Sequence, residues 1–484
     1  MNRRMVCHTV GLIVLVEAAL FLLPLAVSLI YREAGSTAAF CKSCAIALIL
    51  GGIMVLISKP RTKVIYAKEG FAITSLAWFS LSSVGALPFY LSRQIPHYVD
   101  AWFETVSGFT TTGASILRDV EALERGLLFW RSFTHWIGGM GVLVFLMVFL
   151  SGAADRSIHL IRAEMPGPSV GKLLPRVKNT AKILYIIYLF LTAMEVLLLC
   201  LGGMDLFSSL VHSFGTAGTG GFGIYGDSAA SFTPYQQWII TVFMLVFGVN
   251  FNLYYLILVK KFRSALRSTE LWVYLGIFVT ATALVCTNLA GSGFQSLSKL
   301  IRDGAFQVSS IMTTTGFSSV DFNAWPSLSK TVLLILMFIG ACAGSTAGGF
   351  KVSRLVLLVK NCQIEFRHLL HPRSVNVMRF EGKKVEGEVR KGVSVYLALY
   401  VICFFVIFFL LSFDSFDLET NFSAAAACFN NIGPGLGAVG PVSNYASYSD
   451  FSKIVLSLAM LLGRLEIWPI ILSLAPSSWK GWRA

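Results

Sequence analysis

The sequence predicts an all-α integral membrane protein with about ten transmembrane helices, arranged as four repeats around a central pore after two extra N-terminal helices. Three observations support this prediction: the composition, ten long apolar runs and four similar glycine-containing clusters. Of the 484 residues, 55% are hydrophobic and 13% are charged, and the mean hydropathy is +0.71. Soluble domains carry about 25% charged residues. The chain therefore lacks the polar surface that a soluble protein of this size needs.

Each apolar run is close to the ~20 residues that cross a ~30 Å hydrocarbon core as a helix. The runs cover residues 11–30, 38–57, 71–91, 127–152, 183–202, 238–259, 271–289, 332–359, 393–413 and 454–474. The first run is too long for the apolar core of a signal peptide and lacks a clean cleavage site. We therefore expect it to be a true transmembrane helix.

The positive charges indicate the orientation of the chain. The formal net charge is +14, and 28 of the 39 Lys and Arg residues fall in segments that alternate spans would place on one side. Cytoplasmic loops of membrane proteins carry such an excess. We expect both termini in the cytoplasm of a bacterial cell with the protein in its inner membrane. Nucleic-acid binding is excluded because no basic face lies outside the loops that flank the membrane.

Four clusters of Thr, Asn and Gly recur at intervals of about 100 residues, a period that indicates internal repeats. They read SGFTTTGAS (107–115), GTAGTGGFG (215–223), IMTTTGFSS (311–319) and FNNIGPGLG (429–437). The stretches before them, residues 98–109, 205–214, 295–312 and 418–429, are too short to span a membrane and are predicted to be re-entrant half-helices. Each module then reads as span, half-helix, irregular strand, span.

Irregular backbone at membrane depth is tolerated where it lines a water-filled path or is buried in protein. Four such strands that meet on one axis form a selectivity filter, whose carbonyl oxygens replace the hydration shell of an ion. Glycine supplies the backbone angles that such a strand needs. The partly negative C-terminal ends of the half-helices favour a cation. The clusters therefore predict a cation-selective pore.

The four clusters and the stretches between them resemble the Trk/Ktr/HKT superfamily of potassium transporters, and most closely its bacterial Trk-type pore subunits. The resemblance covers nearly the whole chain. It is carried by RSFTHWIGGMG (131–141), RAEMPGP (162–168), PRVKNTAK (175–182), GACAGSTAGGFK (340–351) and MLLGRLEI (460–467). The two additional N-terminal spans favour the Trk branch over the shorter Ktr form.

The resemblance implies a potassium-binding site at each filter. Its residues would be Thr111, Thr112 and Gly113; Thr219, Gly220 and Gly221; Thr314, Thr315 and Gly316; and Asn431, Ile432 and Gly433. Sodium-permeable HKT relatives carry serine at the first glycine, so Gly113 favours potassium. The adjacent glycines of the second filter leave its register open by one residue.

The resemblance also implies a domain organisation and partners. The expected units are an N-terminal two-helix segment (1–60) and pore repeats at 61–160, 161–262, 263–365 and 366–484. The transported ion would be K⁺, with no covalently bound cofactor. A homodimer in the lipid bilayer and a cytoplasmic ring of nucleotide-binding RCK subunits (TrkA-like) would complete the system.

Residues 340–350 interrupt the eighth apolar run with four glycines and several small residues, a poor helix composition. The stretch is either a packing seam between helices or a flexible gate below the filter, which the resemblance favours. The candidate gate residues are Gly344, Ser345, Thr346, Gly348, Gly349 and Arg464. Arg464 at membrane depth is either a structural partner of carboxylates or carbonyls, or an electrostatic barrier or tether for the gate.

Three other polar residues within spans stay open to two interpretations. Glu17 and Glu195 either pair with basic groups or take part in proton coupling. His135 is expected to be a packing residue rather than a ligand.

Two other functions compete with a gated potassium uptake pore. An alternating-access cation symporter would use inverted repeats, whereas all four modules here enter from the same side. An intramembrane enzyme would need a catalytic set at membrane depth, and the sequence offers none. We therefore expect a transport protein and not an enzyme.

Overall fold

A computed structural model describes residues 1–60, 67–141, 177–291, 296–374, 377–475 and 479. The RAEMPGP motif, the first two residues of PRVKNTAK and the end of the fourth apolar run lie outside these residues. The described chain is mostly helical, and its strands are limited to one short hairpin. The predicted all-α fold is therefore confirmed.

The N-terminal half begins with long helices and leads into the first two filters. Its helices are Arg3–Leu20, Leu22–Ile30, Ala34–Ile57, Ala67–Gly85, Leu87–Leu91, Tyr98–Phe109, Arg125–Gly139, Val177–Leu201, Leu206–Gly218, Pro234–Phe247 and Phe251–Leu258.

The C-terminal half repeats the arrangement around the other two filters. Its helices are Phe262–Leu266, Thr269–Ala290, Leu297–Met312, Ser327–Ile339, Val352–Leu370, Gly387–Leu411, Leu418–Phe429, Asp450–Arg464 and Trp468–Leu474, with 3-10 turns at Phe322–Ala324 and Gly437–Val439. A short antiparallel hairpin pairs Arg379–Phe380 with Lys383–Lys384.

Six helices in the described ranges are long and apolar enough to cross a membrane, or up to eight if each of two bent pairs counts as one span. Large apolar side chains on these helices face outward, such as Ile57 and Phe405. They suit contact with lipid because the bilayer, unlike water, solvates apolar surface. The predicted count of ten spans stays a prediction.

Two runs predicted as single spans are bent, which corrects the sequence expectation. The chain bends by 87° between Pro234–Phe247 and Phe251–Leu258, and by 117° between Asp450–Arg464 and Trp468–Leu474. The second break follows from positive φ at Glu466 (57°) and Ile467 (66°), which no α-helix accommodates. Between Ser327–Ile339 and Val352–Leu370 the chain is not helical, and we call residues 340–351 the intramembrane loop.

Four short helices, each followed by a glycine-containing strand, form the centre of the molecule. We call them pore helices 1 to 4: Tyr98–Phe109, Leu206–Gly218, Leu297–Met312 and Leu418–Phe429. The helices that follow the strands, inner helices 1 to 4, are Arg125–Gly139, Pro234–Phe247, Ser327–Ile339 and Asp450–Arg464.

These eight helices close into a ring. Each pore helix packs against the inner helix of its own repeat, and each inner helix packs against the next pore helix. Inner helix 4 packs against pore helix 1 and completes the circuit. The four strands therefore meet near one axis. The residue boundaries predicted for the four repeats stay a prediction.

Local sequence signals start several of these helices. Asp205 is the N-cap of pore helix 2, and its carboxylate accepts the backbone N–H of Ser208. Inner helix 2 begins with a capping box in which Thr233 and Gln236 satisfy each other's backbone N–H groups. Pro234 then occupies the first turn, where its missing N–H costs nothing. These caps determine the residues at which pore helix 2 and inner helix 2 begin.

We expect Thr233→Ala to lower the stability of the protein by about 1 kcal/mol, the typical cost of losing an N-cap side chain. Thr233→Ser keeps the hydroxyl and is the matched control. Thermal unfolding of the purified protein in detergent measures the difference. Equal unfolding temperatures for the alanine and serine variants would contradict the role of the capping box.

Candidate ion-conducting site

The four strands share one unusual backbone conformation. One of the first two residues after each pore helix has positive φ: Thr111 (55°), Thr219 (56°), Thr314 (56°) and Asn431 (56°). Two residues later a glycine again has positive φ: Gly113 (81°), Gly221 (76°), Gly316 (87°) and Gly433 (96°). L-residues with a Cβ rarely adopt such angles. This fourfold agreement aligns the strands residue by residue.

The glycines also permit a close approach between neighbouring strands. A Cβ on Gly113 would overlap the carbonyl oxygen of Gly220, and one on Gly221 would overlap that of Thr315. The same relation joins Gly316 to the oxygen of Ile432, and Gly433 to the oxygen of Thr112. Each glycine thus contacts a carbonyl oxygen of the next repeat, and the glycine of the fourth repeat contacts one of the first. The strands therefore form a closed ring in which the residue before each glycine places its carbonyl oxygen against the neighbouring strand.

The same backbone pattern resolves the register of the second strand, which the sequence left open. Gly221, and not Gly220, aligns with the glycines of the other three strands. Gly220 is a glycine for another reason, because a Cβ there would overlap the imidazole ring of His135. His135 is fully buried, and its ring centroid lies 4.1 Å from that of Phe222. The predicted packing role for His135 agrees with this position.

Side chains behind the strands hold them in place. The hydroxyls of Thr110 and Thr112 are 2.7 Å apart in the first strand, and those of Thr313 and Thr315 are 2.8 Å apart in the third. The side-chain amide of Asn431 donates to Thr112 Oγ1 over 3.0 Å. These bonds connect the fourth strand to the first. The threonine side chains are therefore part of the support of the strands.

A buried ion pair joins the outer ends of the first two strands. Arg131 Nε lies 2.6 Å from Glu104 Oε1, and both side chains are almost completely buried. The Glu104 carboxylate also accepts the backbone N–H of Ile116 over 3.0 Å, while Arg131 donates to the carbonyl of Gly223 over 3.0 Å. Removing one partner of such a pair leaves an uncompensated buried charge, which costs about 3–5 kcal/mol.

The intramembrane loop lies directly against the inner end of the strands. The backbone N–H of Gly348 donates to Thr314 Oγ1 over 2.7 Å. A Cβ on Gly348 would lie 2.6 Å from the carbonyl oxygen of Asn430. The loop thus touches the third and fourth strands at the level where the pore helices end.

Arg464 bonds the backbone carbonyls of three residues. Its guanidinium donates to Thr346 in the loop over 2.7 Å, and to Gly138 and Gly139 at the end of inner helix 1 over 2.5 and 2.9 Å. Arg464 therefore connects the fourth repeat to the loop and to the first repeat. Within the loop, the ammonium of Lys351 is buried and donates to the carbonyl of Ala347.

The other acidic residues in the spans divide into two kinds. Glu466 forms an ion pair of 2.5 Å with Arg354 at the start of the helix that follows the loop. Glu17 and Glu195 are fully buried, and neither carboxylate forms an ion pair with a described basic residue, although the Thr216 hydroxyl lies within hydrogen-bond reach of Glu195. Pairing with a basic group, one of the two predicted roles, is therefore not observed in the described part of the chain.

Sequence reasoning missed several residues that hold this site together. Glu104 and Arg131 belong to a pore helix and an inner helix, and Asp100 and Lys453 pair over 2.6 Å although 353 positions separate them. Glu270 accepts hydrogen bonds from the intramembrane loop. The sequence signal that could have found these residues is a charged side chain within an otherwise apolar helix.

A closed ring of four backbone strands at membrane depth, with pore helices ending on it and a loop beneath it, defines a multi-pass membrane protein of the ion-transport class. A profile of the family described as TrkH, cation transport protein, matches residues 36–480. The chain belongs to this family of cation transport proteins.

Individual relatives resemble the chain over its full length. The Trk system potassium uptake protein TrkH of Salmonella typhimurium is 35% identical over 99% of this chain and 100% of its own. The Trk system potassium uptake protein TrkG of Escherichia coli K12 is 32% identical over 99% of both chains. The crystal structure of the potassium transporter TrkH from Vibrio parahaemolyticus superposes with a TM-score of 0.89, at 32% identity, over 99% of this chain and 100% of that one. The resemblance found in the sequence is thereby confirmed.

The register of the second strand gives a test. We expect both Gly220→Ala and Gly221→Ala to lower cation flux into proteoliposomes, measured with Tl⁺. The clash at Gly220 is with the His135 side chain, whereas the clash at Gly221 is with the backbone of the third strand. Adding His135→Ala should therefore restore flux to Gly220→Ala and not to Gly221→Ala. Rescue of both variants, or of neither, would contradict this register.

Proposed function

We propose that the protein takes up K⁺ across the bacterial inner membrane through a gated, channel-like selectivity filter. The observation that carries this proposal is the closed ring of four glycines and the carbonyl oxygens that precede them. Backbone carbonyls in such a ring replace the water that an ion loses on entry. The pore helices end at the same ring, and their C-terminal ends favour a cation. The named K⁺ transport of the relatives agrees with this proposal.

The filter residues proposed to bind K⁺ are those that the sequence indicated. Their carbonyls belong to Thr111, Thr112 and Gly113; Thr219, Gly220 and Gly221; Thr314, Thr315 and Gly316; and Asn431, Ile432 and Gly433. K⁺ is the transported substrate, and the proposal needs no bound cofactor and no catalytic reaction.

An alternating-access symporter that couples K⁺ to Na⁺ or H⁺ is the second candidate. The buried carboxyl groups of Glu17 and Glu195 are the observation in its favour, because carboxyls inside membrane proteins serve proton relays. Against it, all four strands enter the ring in the same sense, whereas alternating access usually relies on inverted repeats. A K⁺ flux that is independent of Na⁺ and H⁺ gradients would decide for the pore.

The intramembrane loop is the proposed gate. It lies against the inner end of the ring, and the guanidinium of Arg464 ties Thr346 to the first repeat. The loop residues in this proposal are Gly344, Ser345, Thr346, Gly348 and Gly349. A small-residue packing seam would not need a charged tether that joins three repeats.

The surroundings of the pore complete the proposal. Both termini would lie in the cytoplasm, since that orientation puts most Lys and Arg residues on the inner side. We expect a homodimer, with a ring of nucleotide-binding RCK subunits docked on the basic inner loops. Neither partner interface involves nucleic acid.

Gly113→Ser tests the filter. A Cβ at this position would overlap the Gly220 carbonyl oxygen, and φ at Gly113 is 81°. We expect the displaced oxygen to lower the preference for K⁺ over Na⁺ by about tenfold, which corresponds to about 1.4 kcal/mol. Reversal potentials of the purified protein in planar bilayers measure this ratio.

The matched control for the filter test is Gly203→Ser. Gly203 has a similar φ of 83°, yet no atom lies within 4 Å of a Cβ built there. It carries the same backbone strain away from the filter, so its ion preference should stay at the wild-type value. A folded Gly113→Ser protein with unchanged K⁺ preference would show that the filter is assigned to the wrong residues.

Arg464→Ala tests the gate. It removes three hydrogen bonds from a charged donor, and each such bond contributes about 1.5–3 kcal/mol. We expect the K⁺ flux of proteoliposomes to rise at least about tenfold, with the K⁺ preference retained. Arg464→Lys keeps the charge but not the fork of donors, so its K⁺ flux should lie between those of the wild type and Arg464→Ala. Arg263→Ala, at an exposed position, is the control. Wild-type flux in Arg464→Ala would favour the packing seam.

A further inference from the structure

A carboxylate outside the filter holds both ends of the intramembrane loop. Glu270 lies in the first turn of helix Thr269–Ala290 and is 5% exposed. Its Oε1 accepts the backbone N–H of Ala343 over 2.7 Å and that of Ser353 over 3.1 Å. One oxygen atom therefore binds a residue near the start of the loop and a residue just after its end.

These two N–H groups have few alternatives. Ser353 lies in the first turn of helix Val352–Leu370, where backbone N–H groups lack partners within the helix. Ala343 lies in the non-helical part of the loop. Hydrogen bonds to an ionised acceptor are shorter and stronger than those between neutral groups. Glu270 is thus well suited to draw the two ends of the loop together.

The break in the second repeat holds the same end of the loop. The backbone N–H of Cys342 donates to the carbonyl of Gly248 over 3.1 Å, and that of Phe251 donates to the carbonyl of Gly344 over 3.0 Å. The residues on either side of Ala343 are thereby fixed to inner helix 2 and its continuation. Among the described residues, the backbone N–H of Ser353 donates to Glu270.

A second carboxylate fixes the end of the helix that carries Glu270. Glu381 lies in the turn of the hairpin between Arg379–Phe380 and Lys383–Lys384. Its Oε1 accepts the hydroxyl of Ser268 over 3.1 Å and the backbone N–H of Glu270 over 3.0 Å. A negative charge at a helix N-terminus is stabilising. A continuous series of contacts therefore runs from the hairpin through the helix start to the loop.

We propose that Glu270 is a positioning residue that holds the intramembrane loop in its closed place beneath the filter, and that Glu381 holds Glu270 in register. This inference rests on the proposed function of the loop as a gate. It adds two residues that belong neither to the proposed filter nor to the bonds made by Arg464. The hairpin is thereby linked to the loop through the start of helix Thr269–Ala290.

The test uses the full-length protein in proteoliposomes with two readouts. The first is K⁺ flux together with the K⁺ preference. The second is the labelling rate of Cys342 by a thiol reagent, resolved by peptide mass spectrometry. Cys342 is fully buried in the loop, so its labelling reports loop movement without any need for transport.

Glu270→Ala should raise K⁺ flux about tenfold and speed Cys342 labelling by a similar factor, because both tethers are lost. Glu270→Gln keeps an acceptor oxygen for the two N–H groups but loses the charge, so its flux and labelling should lie between those of the wild type and Glu270→Ala. Glu381→Ala should raise both K⁺ flux and Cys342 labelling, but by a smaller factor than Glu270→Ala does. The double variant Glu270→Ala/Glu381→Ala should equal Glu270→Ala alone, as expected for residues in one linkage. All should keep the wild-type K⁺ preference.

The matched control is Glu388→Ala, which removes an exposed carboxylate from the first turn of another long helix. A folded Glu270→Ala protein with wild-type flux and labelling overturns the inference. If Glu270→Ala does not fold, wild-type values for Glu381→Ala overturn it instead. When Arg464→Ala raises flux and the Glu270 and Glu381 variants do not, only the tether is wrong. When Arg464→Ala also leaves flux unchanged, the gate itself is wrong.

Discussion

The structure depends on one backbone constraint: four strands must direct carbonyl oxygens toward a shared axis at membrane depth. Each strand meets it by the same means, a left-handed residue after the pore helix and a glycine two positions later. The glycines admit the oxygen of the next strand, where any Cβ would overlap it. Because unsatisfied backbone groups at this depth cost several kcal/mol each, the surrounding helices have to bury and support the strands.

That support is where the four repeats differ. The first and third strands are held by pairs of threonine hydroxyls, and the fourth is held by Tyr400, whose hydroxyl donates to Asn430 over 2.6 Å. The second strand has no side chain at Gly220, and the ring of His135 fills that space. The backbone geometry is thus common to all repeats, whereas different side chains support it in each repeat.

Much of this architecture could be predicted from the sequence, because a strand of this kind requires glycine at fixed positions. The four clusters, the half-helices before them and the interruption at residues 340–350 all follow from local composition. The helix breaks near Gly248 and Glu466 do not, since an apolar run reveals length but no bend. Nor do the pairs Glu104–Arg131 and Asp100–Lys453, which depend on how distant helices close the ring.

The filter and the intramembrane loop are not independent parts. Gly348 donates to the hydroxyl of Thr314, and Thr314 is itself one of the four left-handed residues on which the ring depends. Arg464, the last residue of inner helix 4, bonds both the loop and the last carbonyls of inner helix 1. A loop that leaves its place therefore withdraws a hydrogen bond from the third strand. The same backbone constraint that builds the ring thus couples the position of the loop to the support of one strand in it.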